Sequence, residues 1–256
     1  MTLIKHSWFL ALRQIRFILR QPWFIGVTLV QPIIWLVLFG ALFKNITQIP
    51  GFSSPSYIDY LTPGIVIMTA LFSSGWVGMA FIEAMDRGVM NRFLTAPANR
   101  ASLITGSLIY AAIMSAVQSL IILGMAALSG AHIPSVGGIA LLLVVATLIT
   151  IAFGSFSNSV ALTLRKQESL IGAVNFLILP LTFLSSTFMQ QDLTPKWMQV
   201  LAPFNPVNWA VTAGRTALSA NLEWTTLGQQ SAYLAALALV CAWLSTRAFR
   251  AYQRSI

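Results

Sequence analysis

Residues 83–100 combine charged and apolar side chains in a way that suits binding to another protein. The charged residues of this segment are Glu83, Asp86, Arg87, Arg92 and Arg100. The apolar residues that lie among them include Met90, Phe93 and Leu94. A short helix of this kind can place apolar side chains in a partner's groove while its charges fix the orientation. Taken alone, these residues predict either a docking element or an ordinary turn between two membrane spans.

Three residues of the segment have special backbone or side-chain properties. Arg87 has a planar guanidinium that can hold a carboxylate through two contacts, which lysine cannot copy. Gly88 lacks a Cβ atom and therefore permits a turn or a close backbone approach. Pro97 ends the helix, because the residue before a proline disfavours the helical conformation.

The chain lacks the residue patterns that hydrolytic and nucleotide-binding chemistry needs. His6 and His132 are its only histidines, so an HExxH zinc site is impossible and no histidine is placed to activate a serine. It has no Gly-x-x-x-x-Gly-Lys phosphate loop and cannot hydrolyse ATP by that route. We therefore predict no catalytic residue, no metal site and no cofactor bound by this chain.

Membrane spans must position these residues. Of the 256 residues, 57% are hydrophobic and 8% are charged, whereas a soluble domain carries about a quarter charged residues. A helix needs about 20 apolar residues to cross the hydrocarbon core, and several uncharged runs are long enough. We predict an all-α polytopic membrane protein with one transmembrane domain over residues 1–256. Its six spans are predicted at about 22–43, 60–82, 102–128, 138–163, 169–188 and 225–246.

The basic residues predict which side of the membrane each segment faces. The net charge is +9, and six spans with both termini in the cytoplasm leave only Lys44, Lys196 and Arg215 of 15 basic residues outside. This asymmetry is the positive-inside pattern of a multi-pass protein, here assigned to the inner or plasma membrane. Because it explains the basic composition, no nucleic-acid partner is predicted.

Two patterns flank or fill the predicted spans. Residues 1–21 predict an amphipathic interfacial helix with an apolar arc that includes Trp8, Ala11 and Ile15, and an adjoining basic arc. This helix would be either a simple anchor or a lever that touches a cytoplasmic partner. Small residues recur every fourth position in the third and fourth spans and favour close helix packing, with a polar substrate path as the alternative. They are Ser107, Ala111, Ser115 and Ser119, then Ser155, Ser159 and Thr163.

Residues 189–224 predict an outer re-entrant helical hairpin rather than a seventh span. The stretch 197–214 is uncharged, but Pro203 and Pro206 each remove a helix hydrogen bond. A seventh span would also place the basic C-terminal residues outside. Asp59 and Arg215 lie near the predicted outer boundary, where we expect charges that face water or a headgroup rather than a proton relay.

Three stretches, in order, resemble the type 2 ATP-binding-cassette (ABC) permeases, especially the daunorubicin-resistance and nodulation-export branch. YIDYLTPGIVIM (57–68) resembles the start of that branch's second span. The inner-loop pattern E-x3-RG-x5-L-x2-P-x2-R is matched by Glu83, Arg87, Gly88, Leu94, Pro97 and Arg100. FLSSTF (183–188) and NPVNWAVTAGRTAL (205–218) resemble the outer re-entrant stretch, whose matching residues are Phe188, Trp197, Asn205, Pro206 and Arg215. Gln190 and Ser107 depart from the pattern, where proline and lysine are common.

The resemblance implies a homodimer of permeases joined to two copies of a separate cassette ATPase, which binds ATP and Mg. It implies that the helix 1–21 and the cytoplasmic loop 83–100 couple the two, and that a hydrophobic or amphiphilic drug, glycolipid or glycan carrier is exported. A secondary transporter is one alternative. Another is a membrane-embedded lipid-modifying enzyme or biogenesis factor that uses lipid-facing polar residues such as Asn158 and Asn175; lipid turnover without any ATPase would favour it.

Overall fold

The computed structural model describes residues 7–9, 11–12, 14–16, 22–48, 52, 54, 56–88, 101–132 and 135–254. Every regular element within these ranges is helical, which confirms the predicted all-α class. The α-helices, in chain order, are α1 (Pro22–Leu42), α2 (Tyr57–Gly75), α3 (Met79–Asp86), α4 (Ala101–Leu128), α5 (Val136–Leu164), α6 (Gln167–Phe183), α7 (Lys196–Leu201), α8 (Pro206–Ala217) and α9 (Trp224–Arg254). Short 3-10 helices occupy Lys44–Gln48, Gln191–Leu193 and Ala202–Phe204.

Four helical segments of the described chain are long and apolar enough to cross a membrane. They are Tyr57–Asp86, which joins α2 and α3, then Ser102–Leu128, Val136–Leu164 and Trp224–Arg254. The apolar stretch Gly26–Leu42 of α1 and the 17-residue helix α6 are shorter. At 1.5 Å per residue α6 is about 26 Å long, against about 30 Å of hydrocarbon. The four long helices support a polytopic membrane protein, while the count of six spans stays a prediction.

Three predicted spans differ in their bounds from the helices observed there. The second, predicted at 60–82, corresponds to Tyr57–Asp86 with a turn at 76–78. The fifth was placed at 169–188, but α6 ends at Phe183 because side-chain hydroxyls compete for its last carbonyls. The Ser185 hydroxyl donates to the Thr182 carbonyl at 2.6 Å, and residues 184–188 form a turn. The last span was placed at 225–246, but α9 continues to Arg254 because residues 247–254 are mostly good helix formers.

The most buried long helix is α2, which lies at the centre of the fold. Of an apolar stretch of 18 residues within Tyr57–Asp86, 72% is buried, whereas 28% of the equivalent stretch of α9 is buried. Helices α1, α4, α5, α6 and α8 all pack against α2. On the far side of α5, α9 lies alongside it, and α8 fills the space between α9, α5 and α2. Movement of α2 would therefore displace the helices that pack against it, which make up most of the molecule.

Small polar residues join α4 to α5, as the close-packing interpretation predicts. The Thr150 hydroxyl donates to the Ser115 hydroxyl at 3.0 Å, and Asn158 Nδ2 donates to Ser107 Oγ at 3.1 Å. The pattern in α5 differs from the expected one, because Thr163 is exposed and bonds within its own helix. Asn158 is fully buried, so the expectation that it faces lipid is wrong. Asn175 is partly exposed.

The described part of the N-terminal segment is helical and begins beside α4. The Ser7 and Thr105 hydroxyl oxygens are 2.5 Å apart, and Ala11 is buried. Trp8 and Phe9 are exposed. Most of the basic arc, including Lys5, Arg13 and Arg20, lies outside the described residues, so the amphipathic interfacial helix over 1–21 stays a prediction.

Candidate functional site

The bend between α2 and α3 is fixed to α5 by a single serine. The Ser157 hydroxyl donates to the Gly75 carbonyl at 2.5 Å and accepts the Gly78 N–H at 3.0 Å. Both ends of the three-residue bend are therefore held by one fully buried side chain. Sequence reasoning missed Ser157, although a serine within an uncharged run is the kind of residue that can satisfy freed backbone groups. This contact sets the direction in which the predicted coupling segment leaves the core.

Helix α3 packs one side on the core and exposes the other. Phe81 and Ile82 are buried, and the Phe81 ring contacts the Phe249 ring of α9 edge-on with centroids 6.5 Å apart. Glu83, Asp86 and Arg87 are exposed. The structure therefore brings three of the predicted coupling residues to one accessible corner at the end of the central helix.

The charges at this corner orient one another weakly. Glu83 Oε2 lies 3.7 Å from Arg87 Nη2, with 50% of the Glu83 side chain and 75% of the Arg87 side chain exposed. Such an exposed i,i+4 pair contributes about 0.3–0.5 kcal/mol to stability. The pair contributes little to the stability of the fold. Either side chain could therefore leave it and pair with a charge of a partner protein at small cost.

Gly88 follows α3 in a left-handed backbone conformation. Its φ is +65°, and its N–H donates to the Met85 carbonyl at 3.0 Å. Apart from its own chain neighbours, no atom of the described chain lies within 4 Å of the position that a Cβ would take. The turn role expected for Gly88 is therefore observed, and no close backbone approach to it is seen within the described residues. The other predicted coupling residues lie outside the described residues: Met90, Arg92, Phe93, Leu94, Pro97 and Arg100.

A second group of predicted residues meets at the opposite end of α2, around Arg215 of α8. The Arg215 Nε donates to the Tyr60 carbonyl at 3.2 Å, and Nη1 donates to the Ser186 hydroxyl at 3.1 Å. Its Nη2 donates to the carbonyls of Ser186, at 2.5 Å, and Thr187, at 3.2 Å. The guanidinium carbon lies 3.5 Å from the centroid of the Tyr60 ring. We call this arrangement the Arg215 clamp.

The clamp corrects the expectation that Arg215 faces water or a headgroup. Its guanidinium is directed at backbone oxygens and an aromatic face, and no carboxylate in the described ranges lies within ion-pair distance. Carbonyl oxygens and the negative face of a ring can together stabilise a cation in this way. Asp59 also makes a specific contact. Its Oδ1 accepts the backbone N–H of His132 at 2.7 Å, and only 15% of the Asp59 side chain is exposed.

The start of α8 places Arg215 in register with the turn after α6. Asn205 caps the helix, with its Oδ1 accepting the Val207 N–H at 2.9 Å, and Pro206 fills the first helical position. The Asn205 Nδ2 also donates to the Leu181 carbonyl at 2.7 Å, which ties α8 to the last turn of α6. Asn205 and Pro206 thus cap α8 and join it to α6, while the outer re-entrant hairpin over 189–224 stays a prediction. The 12 residues of α8 span about 18 Å, which is too short to cross a membrane.

Phe188 lies where the same turn meets α1 and α2. The Tyr57 hydroxyl donates to the Phe188 carbonyl at 3.0 Å. The centroid of the Phe188 ring lies 5.1 Å from that of Trp35 and 5.5 Å from that of Phe39. Gly64 allows the turn to come this close, since a Cβ there would lie 2.9 Å from the Thr187 carbonyl oxygen. Phe188, Asn205, Pro206 and Arg215 are therefore joined through one turn and one helix. Trp197 stands apart on α7 with 59% of its surface exposed.

Comparison with known proteins gives a consistent assignment. The model of the family described as ABC-2 type transporter matches residues 6–218. A putative transport permease, ycf38, of Cyanophora paradoxa is 29% identical over 75% of this chain and 67% of its own length. The daunorubicin resistance ABC transporter permease protein DrrB1 of Streptomyces coeruleorubidus is 25% identical over 86% and 77%. The inner membrane transport permease YadH of Escherichia coli (strain K12) is 23% identical over 84% and 85%.

The matched residues include both groups of side chains described above. Residues 6–218 contain the Glu83–Gly88 corner, the Ser157 contact and the Arg215 clamp. The match also covers α1 to α8, which is most of the helical core. This chain therefore belongs to the ABC-2 type transporter family.

Proposed function

We propose that this chain is the membrane permease subunit of an ABC exporter that is energised by a separate cassette ATPase. Membership of the ABC-2 type transporter family supports the permease role. Relatives named for daunorubicin and doxorubicin resistance support a hydrophobic or amphiphilic drug as the substrate class. The proposal places two copies of the permease in the plasma or inner membrane, with two ATPase subunits on the cytoplasmic side that bind ATP and Mg.

The observation that carries the coupling proposal is the exposed corner formed by Glu83, Arg87 and Gly88. This corner lies at the end of Tyr57–Asp86, the most buried of the four long helical segments, and Ser157 fixes the bend that leads to it. A displacement of α3 would therefore be transmitted to α2, because the bend between them is held in place. ATP binding would draw the ATPase subunits together and rock the two permeases as near-rigid bodies. The substrate would leave between them toward the outside.

Co-purification with the ATPase tests this proposal. We expect the tagged permease to recover a cassette ATPase and to change its rate of ATP hydrolysis. Truncating one charge of a desolvated interfacial pair typically costs about 2–5 kcal/mol, and about 3 kcal/mol weakens binding more than a hundredfold. Arg87→Ala should therefore abolish recovery of the ATPase while membrane insertion stays normal. Lys196→Ala removes an exposed charge from the opposite end of the fold and serves as the matched control.

The proposal fails if Arg87→Ala and the wild type recover equal amounts of ATPase at equal expression. Residues 83–88 would then form a connecting turn only. Recovery of no ATPase by any form of the chain, together with turnover of a lipid by the purified protein, would instead favour a membrane-embedded enzyme.

A further inference from the structure

One exposed face of α9 changes from apolar to basic near its C-terminal end. Trp243, Arg247, Arg250 and Arg254 follow one another at intervals of four, three and four residues, so they share a face of the helix. Before this point the exposed residues are apolar, including Leu239 and Val240, and Trp243 is 57% exposed. From Arg247 onward the three arginines are exposed instead. We call Arg247, Arg250 and Arg254 the arginine stripe.

The opposite face of α9 prevents this stripe from turning inward. Ser245, Phe249 and Tyr252 are buried, and Phe249 and Tyr252 pack with Leu162 of α5 in one apolar cluster. The Arg165 guanidinium carbon also lies 4.7 Å from the centroid of the Tyr252 ring. Rotation of α9 about its axis would expose these side chains, so the arginine stripe points away from the helical core.

The stripe begins along α9 at the depth of lipid headgroups. Tryptophan is enriched at membrane–water interfaces, and the Arg247 guanidinium carbon lies 5.3 Å from the centroid of the Trp243 ring. With Trp243 at the boundary, the three arginines follow it by about 6, 10 and 16 Å along the axis. The headgroup layer is roughly 5–8 Å thick on each side of the hydrocarbon. Arg247 therefore lies within this layer. Arg250 and Arg254 start beyond it, and their long side chains can fold back toward it.

No carboxylate of the described chain lies within 4 Å of these three guanidinium groups. The arginine stripe is a strong positive surface that continues a lipid-facing apolar one. We propose that it binds the phosphate headgroup of an anionic phospholipid, with Trp243 packed against the lipid at the level of its ester groups. An acidic face of the ATPase is the competing occupant. The lipid is favoured because the stripe continues an exposed apolar face of a helix that is long and apolar enough to cross a membrane.

Lipid titration of the purified protein tests this proposal. The protein in a neutral detergent is titrated with phosphatidylglycerol or with zwitterionic phosphatidylcholine, and bound lipid is counted by native mass spectrometry. A basic residue near an anionic surface contributes about a fivefold gain in affinity. Arg250→Gln should therefore weaken phosphatidylglycerol binding about fivefold, and Arg247→Gln/Arg250→Gln/Arg254→Gln about a hundredfold. Phosphatidylcholine binding should not change.

Two controls separate charge at this site from general effects. Lys44→Gln/Lys196→Gln removes two exposed positive charges elsewhere and should leave phosphatidylglycerol affinity at the wild-type value. Replacement of all three arginines by lysine should restore most of the affinity lost in the glutamine variants. Equal phosphatidylglycerol affinity in the wild type and Arg250→Gln would overturn the proposal. Unchanged lipid binding with loss of ATPase recovery would assign the stripe to the ATPase instead.

Discussion

The guanidinium of Arg215 lies over the ring of Tyr60, with its carbon 3.5 Å from the ring centroid, while its Nε donates to the Tyr60 carbonyl. The same guanidinium donates to the carbonyls of Ser186 and Thr187. One side chain of α8 therefore joins the start of α2 to the turn that follows α6. Because its partners are uncharged, the clamp holds three elements together without a buried ion pair.

Loss of the Arg215 clamp should destabilise the protein. Hydrogen bonds to charged groups contribute about 1.5–3 kcal/mol each, and the bonds of one guanidinium are not additive. We expect Arg215→Ala to lower the free energy of unfolding by about 2–3 kcal/mol, measured by thermal or denaturant unfolding in detergent. Arg215→Lys should restore little, because an ammonium cannot copy the planar fork. Full stability in Arg215→Lys would show that only the charge matters.

Ser157 and Ser155 form a matched pair for testing the α2–α3 bend. Both are fully buried on α5, but the Ser157 hydroxyl makes two bonds whereas the Ser155 hydroxyl has no partner within the described residues. Ser157→Ala leaves a buried carbonyl and N–H unsatisfied and should cost about 1–3 kcal/mol of stability. Ser155→Ala should be nearly neutral. We expect only Ser157→Ala to reduce the permease's effect on ATP hydrolysis, and equal behaviour of the two variants would remove the role of the bend.

Substitution of Gly88 should depend on how well the new residue tolerates positive φ. At φ +65° an L-residue costs roughly 1–2 kcal/mol, least for asparagine and most for a β-branched residue. Gly88→Val should therefore abolish stimulation of ATP hydrolysis at normal expression, while Gly88→Asn keeps a large part of it. If both variants were equally inactive, the absence of a side chain rather than the turn would be what the ATPase requires.

Cysteine labelling tests the predicted orientation in the membrane. In a Cys241→Ser background, Ser54→Cys and Gln191→Cys should react with an impermeant maleimide added outside intact cells. Asn99→Cys and Ser255→Cys should react only after the membrane is permeabilised, because basic segments are retained in the cytoplasm. Labelling of Ser255→Cys from outside would add a seventh span and reverse the end of α9.

The helical fold could be predicted because uncharged runs of about 20 residues are visible in the sequence itself. The Arg215 clamp could not, since most of its hydrogen bonds go to backbone carbonyls, which every residue carries and no pattern reveals. The end of α6 was placed five residues too late, because the Ser185 hydroxyl stops the helix within an uncharged stretch. The direction of Asn158 was also missed, because a polar residue in an apolar run does not show which side of the helix is buried.

The Glu83–Gly88 corner was predictable in part. The sequence indicated a charged segment after the second span, and the structure places Glu83, Asp86 and Arg87 on its exposed side. The positive φ of Gly88 was one of two roles that its missing Cβ allowed. The Ser157 contact was not foreseen, because it joins residues 79 positions apart and depends on how α2 bends.

Drug transport into sealed vesicles tests the central claim most directly. ATP is added outside proteoliposomes that contain the permease and the cassette ATPase recovered with it, so that only complexes with an outward-facing ATPase are energised. The uptake of fluorescent daunorubicin is then followed. We expect transport that requires ATP, stops with Arg87→Ala, and does not change when a proton gradient is imposed or collapsed. Transport by the permease alone, driven by a pH step without any ATPase, would contradict the account.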